Sequence, residues 1–415
     1  MRPAKVVTIA EVARVITGKT PSTKEPLFWD GDIPFVTPGD LQSLKNIKVT
    51  SRTVSHLVYA RMAKQLLPAR SICVSCIGNL GYVGMTIKPS LSNQQINSLI
   101  PHNVADADFL YYSMKGLWPF FKSFEGQSTT LSILNKTQFS KIKILWPDET
   151  VRRKIGYILN LFDSKIEYNT KLNGYLEELL LAKYDKLFPV NADFTGILSD
   201  VGTVIGGATP SKKRSEYYCS NGIGWITPRD LSNTSDKFIA HGADDITDEG
   251  YASCSAKLLP KGSVLFSSRA PIGYVAIATN EVATNQGFKS VVPKEEIGTA
   301  FVYCFLVRNK QRIADMGAGT TFPEVSGKMM KSVELAVPEQ SLCAKFDVFA
   351  EPILKQQETL ERENRDLAAL RNALLPKLMS GEIDVSKVDL TQLNSHLLEV
   401  LTYWHREGIT DCHVW

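Results

Sequence analysis

Past residue 147 the apolar residues change rhythm. Ile155, Phe162 and Leu176 fall on one seven-residue series, and Leu159, Ile166, Leu180 and Leu187 fall on a second. Past residue 338 the pattern returns, with Phe346, Ile353, Leu360, Leu367 and Leu374 repeating every seven without a break. A seven-residue apolar repeat keeps one stripe of a helix facing a partner, so each run predicts an amphipathic helix of about 35 to 40 residues. The interruptions are Gly156, Gly174 and Pro352, the proline being placed near a first turn, where its missing N–H is tolerated. Ahead of each helix the pattern is shorter in range. β-like runs at 71–75 and 263–267, helical stretches at 107–117 and 300–314, and frequent Gly, Pro and Asn turns predict mixed α and β structure.

These patterns belong to one larger repeat. Ile16-Thr-Gly-Lys-Thr-Pro-Ser-Thr-Lys24 returns as Ile205-Gly-Gly-Ala-Thr-Pro-Ser-Lys-Lys213, an offset of 189 residues. Ile33-Pro-Phe-Val-Thr-Pro-Gly-Asp-Leu41 returns as Ile223-Gly-Trp-Ile-Thr-Pro-Arg-Asp-Leu231, shifted by one more residue. Leu66-Leu-Pro68 matches Leu258-Leu-Pro260, Gly81-Tyr-Val83 matches Gly273-Tyr-Val275, Asn93-Gln94 matches Asn285-Gln286, and Thr129-Thr130 matches Thr320-Thr321. Matches that keep their order mean a tandem duplication, and a period of roughly 190 residues makes each copy a globular domain, not a solenoid turn. Two long helices in one chain can pair with each other. Asn173 lies on the first apolar seam and its counterpart, 191 residues on, is Asn364. Such a pair either fixes helix register at some cost in stability or sits at a solvated edge.

Composition narrows the class only a little. With 415 residues, 44% hydrophobic and 22% charged, the chain can bury more than one core. It has no apolar run near the roughly 20 residues that cross a bilayer and opens with no charged, apolar and small-residue succession, so a cytoplasmic protein without membrane contact is expected. Seven scattered cysteines do not read as a disulfide framework. A formal net charge of +4 permits a polyanionic partner without requiring one.

The doubled segments Gly18 to Ser22 and Gly207 to Ser211, Thr37 to Leu41 and Thr227 to Leu231, the Leu-Leu-Pro turns and the proline-containing helix entries together resemble the DNA specificity subunits of Type I restriction-modification enzymes. The helix exits, Tyr184-Asp-Lys-Leu-Phe188 and Leu375-Pro-Lys-Leu-Met-Ser-Gly-Glu-Ile383, are similar too, and the resemblance covers residues 1 to 385. It implies an α+β architecture: two homologous mixed α/β target recognition domains, at 1–147 and 190–338, separated by two long antiparallel helices, at 148–189 and 339–382, that form a coiled coil with pseudo-two-fold symmetry. It implies double-stranded DNA as ligand, two adenine methyltransferase subunits as partners, restriction and translocase subunits added for cleavage, and no cofactor or catalysis in this chain. A helix of about 35 to 40 residues is roughly 50 to 60 Å long at 1.5 Å per residue. At about 3.4 Å per base pair that spans about 15 base pairs, so the pair would act as a ruler between unlike half-sites. The tail at 383–415 departs from the pattern; Leu393, Leu397, Leu401 and Trp404 suggest a short amphipathic helix there.

Candidate DNA contacts are polar and cationic residues on loops, where phosphates are met by Lys and Arg and bases by Asn, Gln, Arg, Ser and Thr. Lys19, Thr20, Ser22 and Lys24 in the first copy face Lys212, Lys213 and Arg214 in the second; Gly39 and Arg229 share one slot; Asp40 and Asp230 are expected to cap the turn that follows. Ser75 and Asn79 match Ser267, Ser268 and Arg269, and Asn93 with Gln94 matches Asn285 with Gln286. Loops at 126–130 and 317–321 could touch phosphates or merely connect elements. Each of these also has a plain reading as a solvated turn or a satisfied backbone cap. Two decoys fail. Gly18-Lys19-Thr20 lacks the phosphate-loop glycine at Ala13, meets Pro21 where a helix should continue, and loses its lysine in the second copy. Cys73 and Cys76 have Leu265 and Ser268 as counterparts, so a metal site is not repeated and buried thiols are expected. No Asn/Asp-Pro-Pro-aromatic tetrapeptide occurs, which speaks against methyltransferase chemistry in this chain. The competing readings are a two-headed coiled-coil scaffold for protein or carbohydrate partners and an enzyme with a duplicated domain.

Overall fold

The structure, a computed structural model, describes residues 4–42, 44–126, 132–189, 193–317 and 323–390. The expected tail helix and most of the loops at 126–130 and 317–321 lie outside the described residues. The chain divides into two compact units, one built from residues up to Glu167 and from Asp366 onward, the other from Tyr168 to Arg365. Each unit therefore holds one head and a stretch of both long helices.

In the first unit a five-stranded sheet contains β1 (Ala13–Thr17), β2 (Asn46–Ile47), β3 (Ile72–Ser75), β4 (Val83–Thr86) and β5 (Ile96–Pro101) in the order β1-β5-β3-β4-β2. All neighbours are antiparallel except the edge strand β2, which runs parallel to β4. Helix α1 (Ala107–Gly116) buries Phe109, Leu110, Tyr112 and Met114 on its inner face. The core continues without a break from Ile72 and Leu99 through α1 to Ile155 and Leu159 of α2 (Glu149–Leu187). Gly156 lets α2 approach, since a Cβ there would lie 2.8 Å from the Phe109 backbone nitrogen.

The second unit repeats this plan. Its sheet holds β6 (Gly202–Gly206), β7 (Phe238–Ile239), β8 (Val264–Phe266), β9 (Val275–Ala278) and β10 (Lys289–Pro293) in the order β6-β10-β8-β9-β7, and again only the edge strand β7 is parallel to its neighbour. Helix α3 (Thr299–Met316) buries Phe301, Val302, Phe305 and Leu306, which pack with Leu180 and Tyr184 of α2 and with Phe346 and Ile353 of α4 (Gln340–Ser380). The duplication read from the sequence is thus a duplication of topology.

Within each unit the two helices run antiparallel. In the second, Asn169 Nδ2 donates to Glu363 at 2.9 Å and Asn173 Nδ2 to Glu361 at 3.0 Å, so partners descend α4 as numbers climb α2. In the first, Asp163 meets Arg371 while Lys154 reaches the carbonyls of Ser386 and Val388, both at 2.8 Å. The heptad positions are not equally covered: Ile155, Leu159, Leu180, Phe346, Ile353 and Leu360 are buried, whereas Phe162, Ile166, Leu176, Leu367 and Leu374 are half-buried, because the same helix serves both a partner helix and a head. Two expectations need correction. Pro352 lies deep inside α4 rather than near its first turn. It is tolerated because it and the residue four back, Val348, which is 78% exposed, sit on the outer face, where water can take the carbonyl that loses its donor. The seam asparagines do not pair with each other either: Asn364 Nδ2 points to Thr170 Oγ1 at 3.4 Å, and the amides fully buried between the helices are those of Asn169 and Gln357. No helix among the described residues is long and apolar enough to cross a membrane.

Candidate nucleic-acid interface

The strand pairings bring the repeated motifs to one end of each sheet. β1 ends opposite the start of β5, and β3 ends where β4 begins, so the segments after Thr17, before Ile96 and after Ser75 share that end. At its centre the Gly-x-Thr-Pro-Ser segment crosses the Asn-Gln turn. A Cβ on Gly18 would sit 2.1 Å from the Asn93 carbonyl oxygen, and one on Gly207 would sit 2.1 Å from that of Thr284. Only glycine permits the crossing. The hydroxyl of Thr20 then donates to Gln94 Oε1 at 2.5 Å, and that of Thr209 donates to Gln286 Oε1. Next to it, Cys76 N–H donates to the Gln95 carbonyl at 2.7 Å in the first unit, as Ser268 N–H does to the Gly287 carbonyl at 2.7 Å in the second.

The candidates divide by exposure. Lys19, Ser22, Lys24, Gln94, Asn79 and the slot at Gly39 are exposed in the first unit; Lys212, Lys213, Arg214, Gln286, Arg229 and Arg269 are exposed in the second. Thr20 and Asn285 are half-buried. A Cβ on Gly39 would meet nothing nearer than the Thr37 hydroxyl, at 3.8 Å, so the exposed slot that Arg229 fills in the second unit can take a side chain here too. Ser75, Ser267, Ser268 and Asn93 must be corrected as surface contacts. Ser75 Oγ is buried between the Asn79 carbonyl, at 2.7 Å, and the Tyr82 N–H, at 2.9 Å, and Ser267 is bonded alike to Pro271 and Tyr274. The Ser268 hydroxyl donates to the Gly287 carbonyl at 3.1 Å. Asn93 closes its own turn by accepting from Gln95 N–H at 3.1 Å, the plain backbone-satisfying role. Asp40 and Asp230 are structural in the same sense. Each takes the N–H and hydroxyl of its preceding threonine at 2.7 Å and, with its other oxygen, a backbone N–H from a facing segment, Ser51 at 2.8 Å or Ala243 at 2.9 Å.

The polar loop after the third strand differs between copies. Short backbone bridges join Ile77 to Ile133 in the first unit and Arg269 to Glu324 in the second. Arg269 Nε lies 3.1 Å from Glu324, whose other oxygen is 3.7 Å from Lys289 Nζ. Burial holds the Lys289 ammonium below the usual lysine range, with Glu324 pulling the other way. Sequence reading missed Lys289 and Glu324. The available signal was the repeat itself, which sets Lys289 against Asn97 and Glu324 against Ile133. Cys73 and Cys76 are buried, and burial pushes both thiols up to about 12, which keeps them unreactive. Among the described residues no group of three or more His, Cys, Asp and Glu is placed to hold a metal ion.

Two homologous heads, each with an exposed polar and cationic rim at the same sheet end and each seated on the same two helices, make the chain an internally duplicated α+β protein. The model of the Type I restriction modification DNA specificity domain matches residues 1–178 and 195–358, most of the chain, and the chain belongs to that family. It is 42% identical over 175 residues to the specificity subunit of the Type I restriction enzyme MjaIX from Methanocaldococcus jannaschii, covering 40% of each protein. It is 37% identical over 183 residues to that of HindI from Haemophilus influenzae, covering 44% of this chain and 39% of that one. The chain thus spans about two fifths of the length of these curated relatives. The crystal structure of a Type I restriction-modification S subunit from M. genitalium matches with a TM-score of 0.56 and 16% identity over 90% of this chain and 96% of that one, a likeness of fold.

Proposed function

We propose that this chain is the DNA specificity subunit of a Type I restriction-modification system: each head lays the rim at its sheet end on one half-site of double-stranded DNA, and the helices set the spacing between half-sites. Residues 1–147 and 190–338 act as target recognition domains, 148–189 and 339–382 as spacers. The observation that carries this reading is the meeting, in both heads, of the Gly-x-Thr-Pro-Ser segment, the Asn-Gln turn and the polar loop after the third strand, with cations exposed around them. Lys19, Lys24, Lys212, Lys213 and Arg214 face phosphates; Asn79, Gln94, Gln286, Arg229 and Arg269 reach base edges, where amides suit adenine and a guanidinium suits guanine. Asn173 and Asn364 help to hold helix register.

The chain does no chemistry of its own. It works in the cytoplasm, where two adenine methyltransferase subunits dock on it and nuclease subunits join for restriction. Because the heads have diverged, the target is asymmetric and bipartite. Comparing the adenine methylome of the host with and without the gene tests this: methylation at one such motif disappears on deletion, and an unchanged methylome overturns the assignment.

A further inference from the structure

Two buried lysines remain outside the recognition rim. Lys45 is 5% exposed and Lys237 is 8% exposed, and each stands immediately before the edge strand of its sheet, β2 or β7. They are equivalent in the duplication, and their carbonyls take the same backbone bond, from Met85 at 2.8 Å and from Ile277 at 2.6 Å. Each ammonium also lies over an equivalent tyrosine of the head helix, Lys45 at 4.8 Å from the Tyr112 ring and Lys237 at 4.7 Å from the Tyr303 ring. That tyrosine hydroxyl donates to a helix-pair carboxylate: Tyr112 to Asp163 at 2.5 Å, Tyr303 to Glu177 at 2.8 Å.

The helix side of the two nodes is not equivalent. Asp163 belongs to the first half of α2 and aligns with Leu354 in the repeat; Glu177 belongs to its second half and aligns with Ala368. Lys45 reaches Asn160 of α2 and, at 2.6 Å, Asp108 of α1, while Asp163 is also held by Arg371 of α4. Lys237 reaches Glu177 and, at 2.8 Å, Gln357 of α4, and the N–H groups of Lys237 and Phe238 donate to the buried Glu361 at 3.2 and 3.0 Å. A lysine and a tyrosine have stayed on each head while the residues that receive them changed. An apolar contact of the same size would hold the pieces together without fixing their angle, since apolar burial is non-directional and charged hydrogen bonds are not.

We propose that Lys45 and Lys237 are positioning residues, each locking the angle of its recognition head on the helix pair through a buried lysine, tyrosine and carboxylate node. This rests on the reading of the heads as DNA readers only for its functional consequence. The segment so locked follows the Thr-Pro-x-Asp-Leu turn that carries Gly39 and Arg229, so the node sets where that turn stands relative to the helices.

The test uses the full chain, with spin labels on unnatural amino acids at the exposed positions Lys257 and Gln356, both in the second unit, and pulsed electron–electron distance measurement. Wild type gives one narrow distance distribution. Lys237→Met broadens it at least twofold, and Tyr303→Phe, which deletes one hydroxyl and leaves the packing, broadens it less. Equal widths in wild type and in both variants overturn the proposal, and if Lys237→Met fails to fold, Tyr303→Phe decides alone. In the host methylome the same variants keep both half-site sequences but spread one spacer length over two or more. A changed base sequence with an unchanged spacer also overturns it. A wild-type host without any bipartite motif, with the broadening present, would sink the DNA reading and leave the positioning role standing.

Discussion

The crossing at Gly18 gives the sharpest test of how the rim is built. In Gly18→Ala the new methyl must move about 1 Å to reach an ordinary contact of about 3.3 Å with the Asn93 and Ser92 oxygens. That shift breaks the bonds from Gly18 N–H to the Ile96 carbonyl, at 3.0 Å, and from Lys19 N–H to the Ser92 carbonyl, at 2.9 Å. Two backbone bonds at about 1 kcal/mol each, with about 1 to 3 kcal/mol for overpacking, place the loss at about 3 to 5 kcal/mol. For a unit of this size each kcal/mol lowers the melting temperature by about 2 to 4 °C, so the first unit should melt about 6 to 20 °C earlier. Circular dichroism melts of the full chain read this directly, and Gly207→Ala should act equally on the second unit. The control is Gly174→Ala, where nothing lies within 4 Å of the added methyl and helix propensity favours alanine by up to about 1 kcal/mol. Should Gly18→Ala melt within 2 °C of wild type, the close crossing would not be what organises this end of the sheet.

Three further outcomes are expected. Arg269→Ala weakens or relaxes recognition of a single half-site, by about 1 to 3 kcal/mol if the guanidinium pairs with one base, and leaves the other unchanged in a methylome or binding selection. Seven-residue helical inserts after Asn173 and after Asn364 preserve the apolar face and lengthen each helix by about 10 Å, so the spacer should grow by about three base pairs with the half-sites intact. Burial first, and Glu351 second, push the Asp347 carboxyl up to about 6. A carboxyl whose folded pKa is raised contributes stability that is complete below about 4 and is lost as pH rises through 6. Asp347→Asn should therefore melt above wild type at pH 8 and match it near pH 4 in thermal scans.

The duplication and the long helices were legible because they rest on order and periodicity. Repeated segments keep their order whatever they do, and Ile155, Leu159, Phe346 and Ile353 are spaced by the helix itself. Exposure was not legible. Ser75 and Asn79 lie in one short run, yet Ser75 closes the loop beneath the surface that Asn79 occupies, a distinction set by a hydroxyl folding back on backbone four residues away. The lysine nodes were hidden for a related reason. A lysine ahead of a short edge strand looks like a solvated charge until a carboxylate well away in the chain, Glu177 at 60 residues from Lys237 and Asp108 at 63 from Lys45, is brought against it.

The two heads also show which positions the fold holds fixed and which it leaves open to change. Glycine crossings, aspartate caps and the lysine and tyrosine of each node are the same in both, and each is buried or bonded on more than one side, so a substitution there disturbs the frame. At the bridge beside the rim the copies part: an isoleucine pair in one, an arginine and glutamate with Lys289 in the other. Nothing in the shared frame requires either choice, because the backbone bridge is formed by both. Recognition can then diverge by exchanging side chains on one unchanged sheet end, and exchanging Ile77 and Ile133 for arginine and glutamate should alter what the first head reads without lowering its melting temperature by more than about 2 to 4 °C, the scale of two ordinary surface substitutions.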